Sequence, residues 1–195
     1  MTDLLWVANT RHGPGGHWFA RVTSDRGDHD HLATVEDAGA YLTGHRVVLP
    51  DSPPQPADLV ALVAIREMVR GLLEPANAWT PEALGILART RFALDQEGRL
   101  LAAGSDWAAF VGNLMLPLLE LVRRRERLSI CGNPFCRLVF LDGSKSRTRR
   151  WCDDAGCGNR DRVKRHRGRA RTRSALDMRI VGSRTTVSEP QELRP

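Results

Sequence analysis

Two long stretches of the chain repeat apolar side chains at the spacing of an amphipathic α-helix. The apolar arc of the first, from about Ala57 to Leu73, consists of Leu62, Ile65, Met68, Val69, Leu72 and Leu73. The stripe of the second, from Ser105 to about Arg127, consists of Trp107, Phe110, Val111, Leu114, Leu118, Leu121 and Val122. The pattern therefore predicts two long helices, each with one buried face.

Weaker patterns predict shorter elements around these two helices. Thr34 suits a helix N-cap, with Asp37 three residues later, and Thr80 precedes a proline at a first helical position. Two apolar runs separated by a turn predict a small hairpin over residues 92–102. The short apolar run at residues 4–8 predicts a strand or another buried segment.

Basic residues are concentrated in one quarter of the chain. The segment from Arg123 to Arg173 holds 17 basic and 5 acidic residues, a net charge of +12. The whole chain carries +6, so the remainder carries −6. Such a concentration indicates a polyanionic partner for this segment. Arginine enrichment from genome composition is an alternative explanation.

All four cysteines of the chain lie within 27 residues, in two pairs with the same spacing. The pairs are Cys131-x4-Cys136 and Cys152-x4-Cys157, separated by fifteen residues. The chain starts without a secretory signal, so we expect it in the cytoplasm, where clustered cysteines more often hold metal than form disulfides. Four sulfurs suit a structural Zn²⁺ site, because no coordination position remains for a substrate. Free or disulfide-bonded cysteines and an iron–sulfur cluster are the alternatives.

The surroundings of the cysteines support a small zinc module. Few large apolar side chains lie between residues 128 and 173, and structural zinc supplies roughly 10–16 kcal/mol in finger-sized peptides. The sequence predicts short strands at 128–131 and 137–141 and a helix after Cys157. Residues 138–141, together with Trp151, are expected to cover the metal with apolar surface.

The terminal helix carries cations at spacings that place them on shared faces. Arg160, Lys164, Arg167 and Arg171 follow one another at i, i+4, i+7 and i+11. Like charges at this spacing repel one another, and phosphate groups would relieve the repulsion. We expect this segment to bind nucleic acid, and DNA rather than RNA. The residues predicted to make the contacts are Lys145, Arg147, Arg149, Arg150, Asn159, Arg160, Lys164, Arg165, Arg167 and Arg171. A solvated basic tail is the alternative.

These elements define an α+β fold in three parts. Residues 1–127 form a mostly helical domain with a small hairpin, called the N-terminal domain below. Residues 128–173 form the four-cysteine zinc module, which ends in a basic helix. Residues 174–195 have little apolar content and are predicted to be a disordered tail. No apolar stretch is long enough to span a membrane.

The residues around the cysteines resemble those of a known family. Residues 152–160, Cys-Asp-Asp-Ala-Gly-Cys-Gly-Asn-Arg, and the basic run before Trp151 are similar to the CGNR zinc finger. Residues 7–10 and 65–67 resemble the Asn-Thr and Leu-Arg-Glu motifs of the ABATE domain, which typically precedes that finger. The resemblance implies zinc on the four cysteines and a bacterial DNA-binding transcription regulator. Lys145 departs from the family pattern, in which arginine is common.

Other candidate sites are weaker. Asn9 and Arg66 are expected to hold a small anionic effector, although such an arginine more often pairs with a carboxylate. The histidines of the polar loop 12–31 are expected to be solvated rather than to bind a second metal. No phosphate-binding loop or catalytic motif is present, so the chain is not expected to be an enzyme.

Three functions are compatible with the sequence. The first is DNA-binding regulation, in which the N-terminal domain senses an effector or forms a homodimer. The second is association with RNA or the ribosome. The third is small-molecule binding by the N-terminal domain, with a purely structural zinc module.

Overall fold

The structure, a computed structural model, describes residues 1–12, 29–74, 79–134 and 136–170. These residues have the predicted α+β fold, with a mostly helical N-terminal domain followed by the zinc module. The polar loop 13–28, the tail beyond residue 170 and Phe135 lie outside the described residues, as do the expectations about them. No helix in the described ranges combines the length and the apolar character that crossing a lipid bilayer requires.

Among the described residues, the N-terminal domain has five α-helices, two of which begin where the capping patterns predict. They are α1 (Thr2–Ala8), α2 (Val35–Gly44), α3 (Pro56–Gly71), α4 (Pro81–Arg89) and α5 (Trp107–Arg123). The Thr34 hydroxyl accepts a hydrogen bond from the N–H of Asp37 at 3.1 Å. The Thr80 hydroxyl accepts one from the N–H of Ala83 at 3.2 Å. Each hydroxyl satisfies an amide that lacks a partner within its helix, which confirms both predicted N-caps.

The strands in the described part of the chain are short and form three antiparallel pairs. The pairs are β1 (Arg11–His12) with β2 (His29–Asp30), β3 (Phe92–Leu94) with β4 (Leu100–Ala102), and β5 (Leu128–Ile130) with β6 (Val139–Leu141). The β3–β4 pair confirms the predicted hairpin, and the β5–β6 pair confirms the strands of the zinc module. The zinc module then continues through a π-helical turn (Asp154–Gly158) into helix α6, residues 159–170.

The start of the chain is helical, so of the two alternatives predicted for residues 4–8 the strand is wrong and the buried segment is confirmed. Leu4, Val7 and Ala8 are fully buried, whereas Leu5 and Trp6 are only partly buried. Burial at i, i+3 and i+4 is the spacing of one helix face, and five residues are too few to separate it from a strand pattern. The apolar run forms α1, which packs against α3.

Helix α3 is the centre of the N-terminal domain. It packs against α1, α2, α4 and α5. The side chains of Leu62, Ile65 and Val69 are completely buried, as the apolar arc predicts. The indole N–H of Trp107 donates to the Ser52 carbonyl at 2.7 Å and fixes the proline-rich segment before α3.

The β5–β6 hairpin of the zinc module shares the core of the N-terminal domain. Leu128 and Val139 belong to the same buried apolar cluster as the helices, and Leu141 packs against it. Because side chains alternate along a strand, Leu138 and Phe140 lie on the opposite face of β6, where both are also buried. The expectation that all of residues 138–141 cover the metal is therefore wrong for Val139 and Leu141. The chain divides into two compact units only later, between Cys152 and Asp153.

Candidate metal centre and its basic surroundings

The first two cysteines are held by a tight turn between β5 and β6. The N–H of Cys131 donates to the Leu138 carbonyl at 2.8 Å, and the N–H of Cys136 donates to the Asn133 carbonyl at 2.9 Å. Arg137, which follows the second cysteine, has a φ of 51°, the left-handed conformation that reverses the chain. This turn places both sulfur atoms on the same side of the hairpin end.

The glycines beside the cysteines are needed for space. The N–H of Gly132 donates to the Arg150 carbonyl at 2.8 Å, which ties the first cysteine turn to the chain before the third cysteine. A Cβ atom on Gly132 would lie 3.2 Å from that same carbonyl oxygen and 3.1 Å from the Trp151 ring. At Gly156 a Cβ atom would lie 2.6 Å from Asp153 Oδ2, which accepts the Gly156 N–H. A methyl group at either position would separate groups that now bond to each other.

The fourth cysteine lies in the π-helical turn that precedes α6. The Asp153 carboxylate accepts hydrogen bonds from the N–H groups of Ala155 and Gly156, at 3.3 and 2.6 Å. The N–H of Gly158 donates to the Asp153 carbonyl at 3.0 Å. Asp153 therefore closes both ends of the turn that holds Cys157.

The four sulfur atoms form a compact cluster that fits a tetrahedral metal ion. The Sγ atoms of Cys131, Cys136, Cys152 and Cys157 all lie within 4.8 Å of one another. Zinc–sulfur bonds of about 2.3 Å place tetrahedral sulfurs about 3.8 Å apart. The Cys136 and Cys152 sulfurs are 3.6 Å apart, and none of the four cysteines forms a disulfide. Three of the four are buried, so the donor set suits a thiolate-binding ion shielded from water.

A buried carboxylate that the sequence analysis overlooked organises the loop between the cysteine pairs. Asp142 is only 2% exposed and accepts hydrogen bonds from the N–H groups of Ser144 and Arg149, at 2.8 and 2.9 Å. The nearby Ser144 hydroxyl, together with these amides and the Arg127 charge, holds the pKa of Asp142 below its ordinary value. The Arg127 guanidinium donates to the Asp142 and Ser144 carbonyls at 3.1 and 3.2 Å. Asp142 and Arg127 thus fix the loop from both sides.

Two of the arginines predicted to bind nucleic acid make contacts within the zinc module. The Arg149 guanidinium donates to the carbonyls of Trp151 and Cys152 and lies 5.1 Å from the centroid of the Phe140 ring. Arg150 lies over the Trp151 ring at 5.2 Å. Arg149 therefore supports the chain that carries the third cysteine. Lys145 and Arg147 are exposed in the preceding loop.

Helix α6 has two sets of cations with different surroundings. Arg162 pairs with Asp154 at 3.0 Å, and Arg165 pairs with Asp161 at 2.7 Å. Within the described ranges, no salt bridge involves Arg160, Lys164 or Arg167, which are exposed and are called the cationic face below. One open surface depression is lined by Asn159, Arg160, Val163, Lys164, Arg167 and Gly168. Arg171 lies outside the described residues.

Comparison with protein families agrees with both parts of this architecture. Residues 6–123 match the ABATE family, described as "Putative stress-induced transcription regulator", and residues 127–170 match the CGNR zinc finger. The chain is an ABATE protein with a CGNR zinc finger. The resemblance found in the sequence is thereby confirmed, including the order of the two parts. No curated protein matches the chain.

The two effector candidates of the ABATE part both have protein partners. Asn9 is buried and exchanges two hydrogen bonds with Val139. Arg66, which is 3% exposed, pairs with Asp30 at 2.5 Å and with Glu67 at 2.8 Å. The carboxylate partner that is usual for such an arginine is present, and the effector role of both residues stays a prediction.

Aromatic side chains of the ABATE part contact one another in a continuous row. The His31 ring stacks on Tyr41 at 4.3 Å, Tyr41 contacts His45 at 4.4 Å, and His45 stacks on Trp6 at 3.7 Å. His29 contacts His31 at 4.3 Å. The expectation that His29 and His31 are simply solvated is therefore wrong, because both are partly buried among other rings. In the described part of the chain, the four cysteines are the one group that could hold a metal ion.

Proposed function

We propose that this ABATE–CGNR protein is a DNA-binding transcription regulator in which a structural zinc ion supports a phosphate-binding helix. The observation that carries the proposal is the cationic face of α6. Arg160, Lys164 and Arg167 are exposed without an acidic partner in the described residues, whereas Arg162 and Arg165 on the same helix each have one. Cations that the protein leaves unneutralised are the ones available to phosphates.

Zinc is the ion we propose for the four cysteines. Four thiolates around one divalent ion occupy every position of a tetrahedron, so the ion holds the chain together and leaves no position open for a substrate. The hydrogen-bonded turns around Cys131–Cys136 and Cys152–Cys157 also hold the four sulfurs in a fixed frame for the ion. No catalytic role is proposed for the site.

Arginine on an exposed helix suits both kinds of DNA contact. Its planar guanidinium makes bidentate hydrogen bonds to phosphate and to guanine edges in the major groove. Asn159 and Arg160, in the first turn of α6, are both exposed. Helix α6 also carries six basic residues and one acidic residue among residues 159–170, so we propose that it provides a large part of the electrostatic binding energy.

The test is a salt titration of DNA binding with the zinc-loaded protein. If about six phosphates are neutralised, the logarithm of the binding constant falls with the logarithm of salt concentration at a slope near −5. Replacing Arg160 and Arg167 with Ala should weaken binding and reduce that slope by about 2. Binding that does not depend on salt, or no binding at all, would contradict the proposal.

A matched variant separates local contact from total charge. Replacing Arg162 and Arg165 with Ala removes the same two charges from the same helix, but these side chains already pair with Asp154 and Asp161. We expect this control to change the slope by less than half as much. Equal effects of the two double variants would show that only net charge matters and that the cationic face has no specific role.

RNA association and effector sensing stand as further hypotheses about the same molecule. Competition between duplex DNA and structured RNA distinguishes the two nucleic acids, since stronger displacement by RNA would replace the DNA proposal. The proposed sensing role of the N-terminal domain concerns Asn9 and Arg66, and a homodimer would suit a two-fold DNA site. Sedimentation of the purified protein measures the oligomeric state directly.

A further inference from the structure

One buried side chain of the N-terminal domain bonds directly to the zinc module. The Asn9 Nδ2 group donates to the Val139 carbonyl at 2.9 Å, and the Val139 N–H donates to Asn9 Oδ1 at 2.7 Å. Asn9 is 4% exposed and Val139 is 2% exposed, so both hydrogen bonds are shielded from water. The two residues are 130 positions apart in the sequence.

The Asn9 side chain takes the place of a neighbouring strand. A primary amide presents one acceptor and donors in nearly the geometry of a peptide group. Val139 lies opposite Ile130 in the β5–β6 ladder, and its own N–H and C=O groups bond to Asn9. Without Asn9, both backbone groups would be buried without partners, at a cost that exceeds the value of an ordinary hydrogen bond.

The backbone around Asn9 is in turn fixed by three helices. Asn9 ends α1, and its carbonyl accepts a hydrogen bond from the Tyr41 hydroxyl of α2 at 3.1 Å. The Arg70 guanidinium of α3 donates to the Ala8 carbonyl at 3.3 Å. Asn9 therefore cannot shift without disturbing α1, α2 and α3.

The strand held by Asn9 is also close in sequence to the metal ligands. The carbonyl of Leu138, the residue immediately before Val139, accepts a hydrogen bond from the N–H of Cys131. Cys136 lies two residues before Leu138. A displacement of β6 therefore moves the hydrogen bond that positions the first sulfur. Contacts from the core of the N-terminal domain reach the metal centre in only a few covalent and hydrogen-bonded steps.

We propose that Asn9 is a positioning residue that couples metal binding to the stability of the N-terminal domain. The inference rests on the proposed structural zinc, and it extends that role beyond the zinc module. Coupling is reciprocal, so zinc tightens α1 to the same extent that an intact Asn9 contact strengthens zinc binding. We expect loss of both buried hydrogen bonds to weaken zinc affinity about tenfold, which corresponds to about 1.4 kcal/mol.

Hydrogen exchange of the full-length protein, zinc-loaded and chelated, tests this coupling. In the unmodified protein, chelation should speed exchange at the amides of α1 as well as at Cys131 and Cys136. In the Asn9→Ala variant, the Val139 amide should exchange fast even with zinc bound, and the α1 amides should no longer respond to chelation. An α1 response of unchanged size in the variant would overturn the proposal.

Asn113→Ala is the matched control. Asn113 Oδ1 accepts the Ala102 N–H at 2.8 Å, so it is also an asparagine that bonds to a strand backbone, but within the N-terminal domain alone. This variant should destabilise the N-terminal domain while keeping the zinc affinity and the α1 response. A tenfold loss of zinc affinity in both variants would mean that Asn9 acts through general stability, and would also overturn the proposal.

The outcomes are distinguishable from failure of the proposed function. If the Asn9→Ala protein does not fold, Asn9→Asp keeps the acceptor for the Val139 N–H and loses the donor. It should bind zinc more weakly than the unmodified protein, and an unchanged zinc affinity would overturn the proposal. Elemental analysis of the unmodified protein measures zinc by itself, so a protein without stoichiometric zinc refutes the structural-zinc proposal and the coupling together. DNA binding that fails while the coupling holds refutes only the proposed regulator function.

Discussion

Removing the ion pairs of the buried Arg66 side chain tests quantitatively how burial strengthens electrostatic contacts. Arg66 lies on the central helix α3, and its side chain is 4% exposed. Its Nη1 atom is 2.5 Å from Asp30 Oδ1, and its Nε atom is 2.8 Å from Glu67 Oε1. The Arg66→Met variant keeps an unbranched apolar side chain of similar length and removes both ion pairs.

The expected loss of stability follows from the exposure of the partners. Breaking a fully buried ion pair costs about 3–5 kcal/mol, whereas an exposed pair contributes about 0.2–1 kcal/mol. The Asp30 side chain is 33% exposed and the Glu67 side chain is 53% exposed, so water solvates both carboxylates once Arg66 is gone. We therefore expect Arg66→Met to lower the free energy of unfolding by about 2 kcal/mol at pH 7.

The pKa of Asp30 determines how the stability difference between the unmodified protein and Arg66→Met changes with pH. Burial raises the pKa of Asp30, but the hydrogen bonds from Arg66 and Leu32 and the Arg66 charge bring it below its ordinary value. The lowered pKa stabilises the fold at pH values above the ordinary Asp value, and that stability is lost as the pH falls through the folded-state pKa. In the variant the Leu32 N–H and the Arg11 charge still act on Asp30, but the contributions of Arg66 are gone, so less of the stability depends on an ionised Asp30. The difference between the two proteins should therefore shrink between pH 7 and pH 3.

Urea unfolding at several pH values measures this difference, and Arg99→Met is the control. With a slope near 2 kcal/mol per molar urea, the Arg66→Met midpoint should fall by about 1 M at pH 7. Arg99 also pairs with one aspartate and one glutamate, Asp95 at 2.7 Å and Glu97 at 3.2 Å, but its side chain is 69% exposed. Arg99→Met should cost at most about 1 kcal/mol. Equal losses in the two variants, or an Arg66 difference that grows in acid, would refute the reasoning.

Three further predictions concern local packing, capping and the metal. Gly112→Ala places a Cβ atom 2.5 Å from Thr90 Cγ2 and should destabilise the protein by about 1–3 kcal/mol in thermal unfolding, whereas Gly39→Ala, with no atom within 4 Å, should stabilise α2 by about 0.5–1 kcal/mol. Thr34→Ala removes the α2 N-cap, and chemical denaturation should show a loss of about 1 kcal/mol; an unchanged midpoint would contradict the capping role. Cys136→Ala removes one of four zinc ligands, so elemental analysis should find far less than the one zinc ion per chain expected of the unmodified protein.

The long helices could be predicted from the sequence because their signals are local. The stripes of α3 and α5 extend over four or more turns, and each capping residue of α2 and α4 acts on an amide three positions away. The run at residues 4–8 predicts either a strand or another buried segment, since one and a half helical turns give too few apolar positions to define a period. Its helical conformation follows from packing of α1 against α3, which the sequence does not encode locally.

In the candidate site, too, features with a local sequence signal could be predicted, and contacts between distant residues could not. The spacing of the cysteines predicts their cluster, because each pair needs only a tight turn. The contact of Asn9 with Val139 joins residues 130 positions apart, and the role of Asp142 depends on backbone amides of a folded loop. Arg149 is predicted to bind nucleic acid from its charge alone, and its three contacts inside the zinc module appear only in the folded chain.

The shared core changes the role that a metal ion has in this protein. In finger-sized peptides the metal supplies nearly all of the folding free energy, because no other core exists. Here Leu128 and Val139 are buried in the core of the N-terminal domain, and Asn9 satisfies the backbone of β6. The β5–β6 hairpin therefore has sources of stability that do not depend on metal, while none of the four cysteines belongs to that core cluster. Metal binding should accordingly act on the position of the cysteine turns and, through Asn9, on α1, rather than decide whether the strands form.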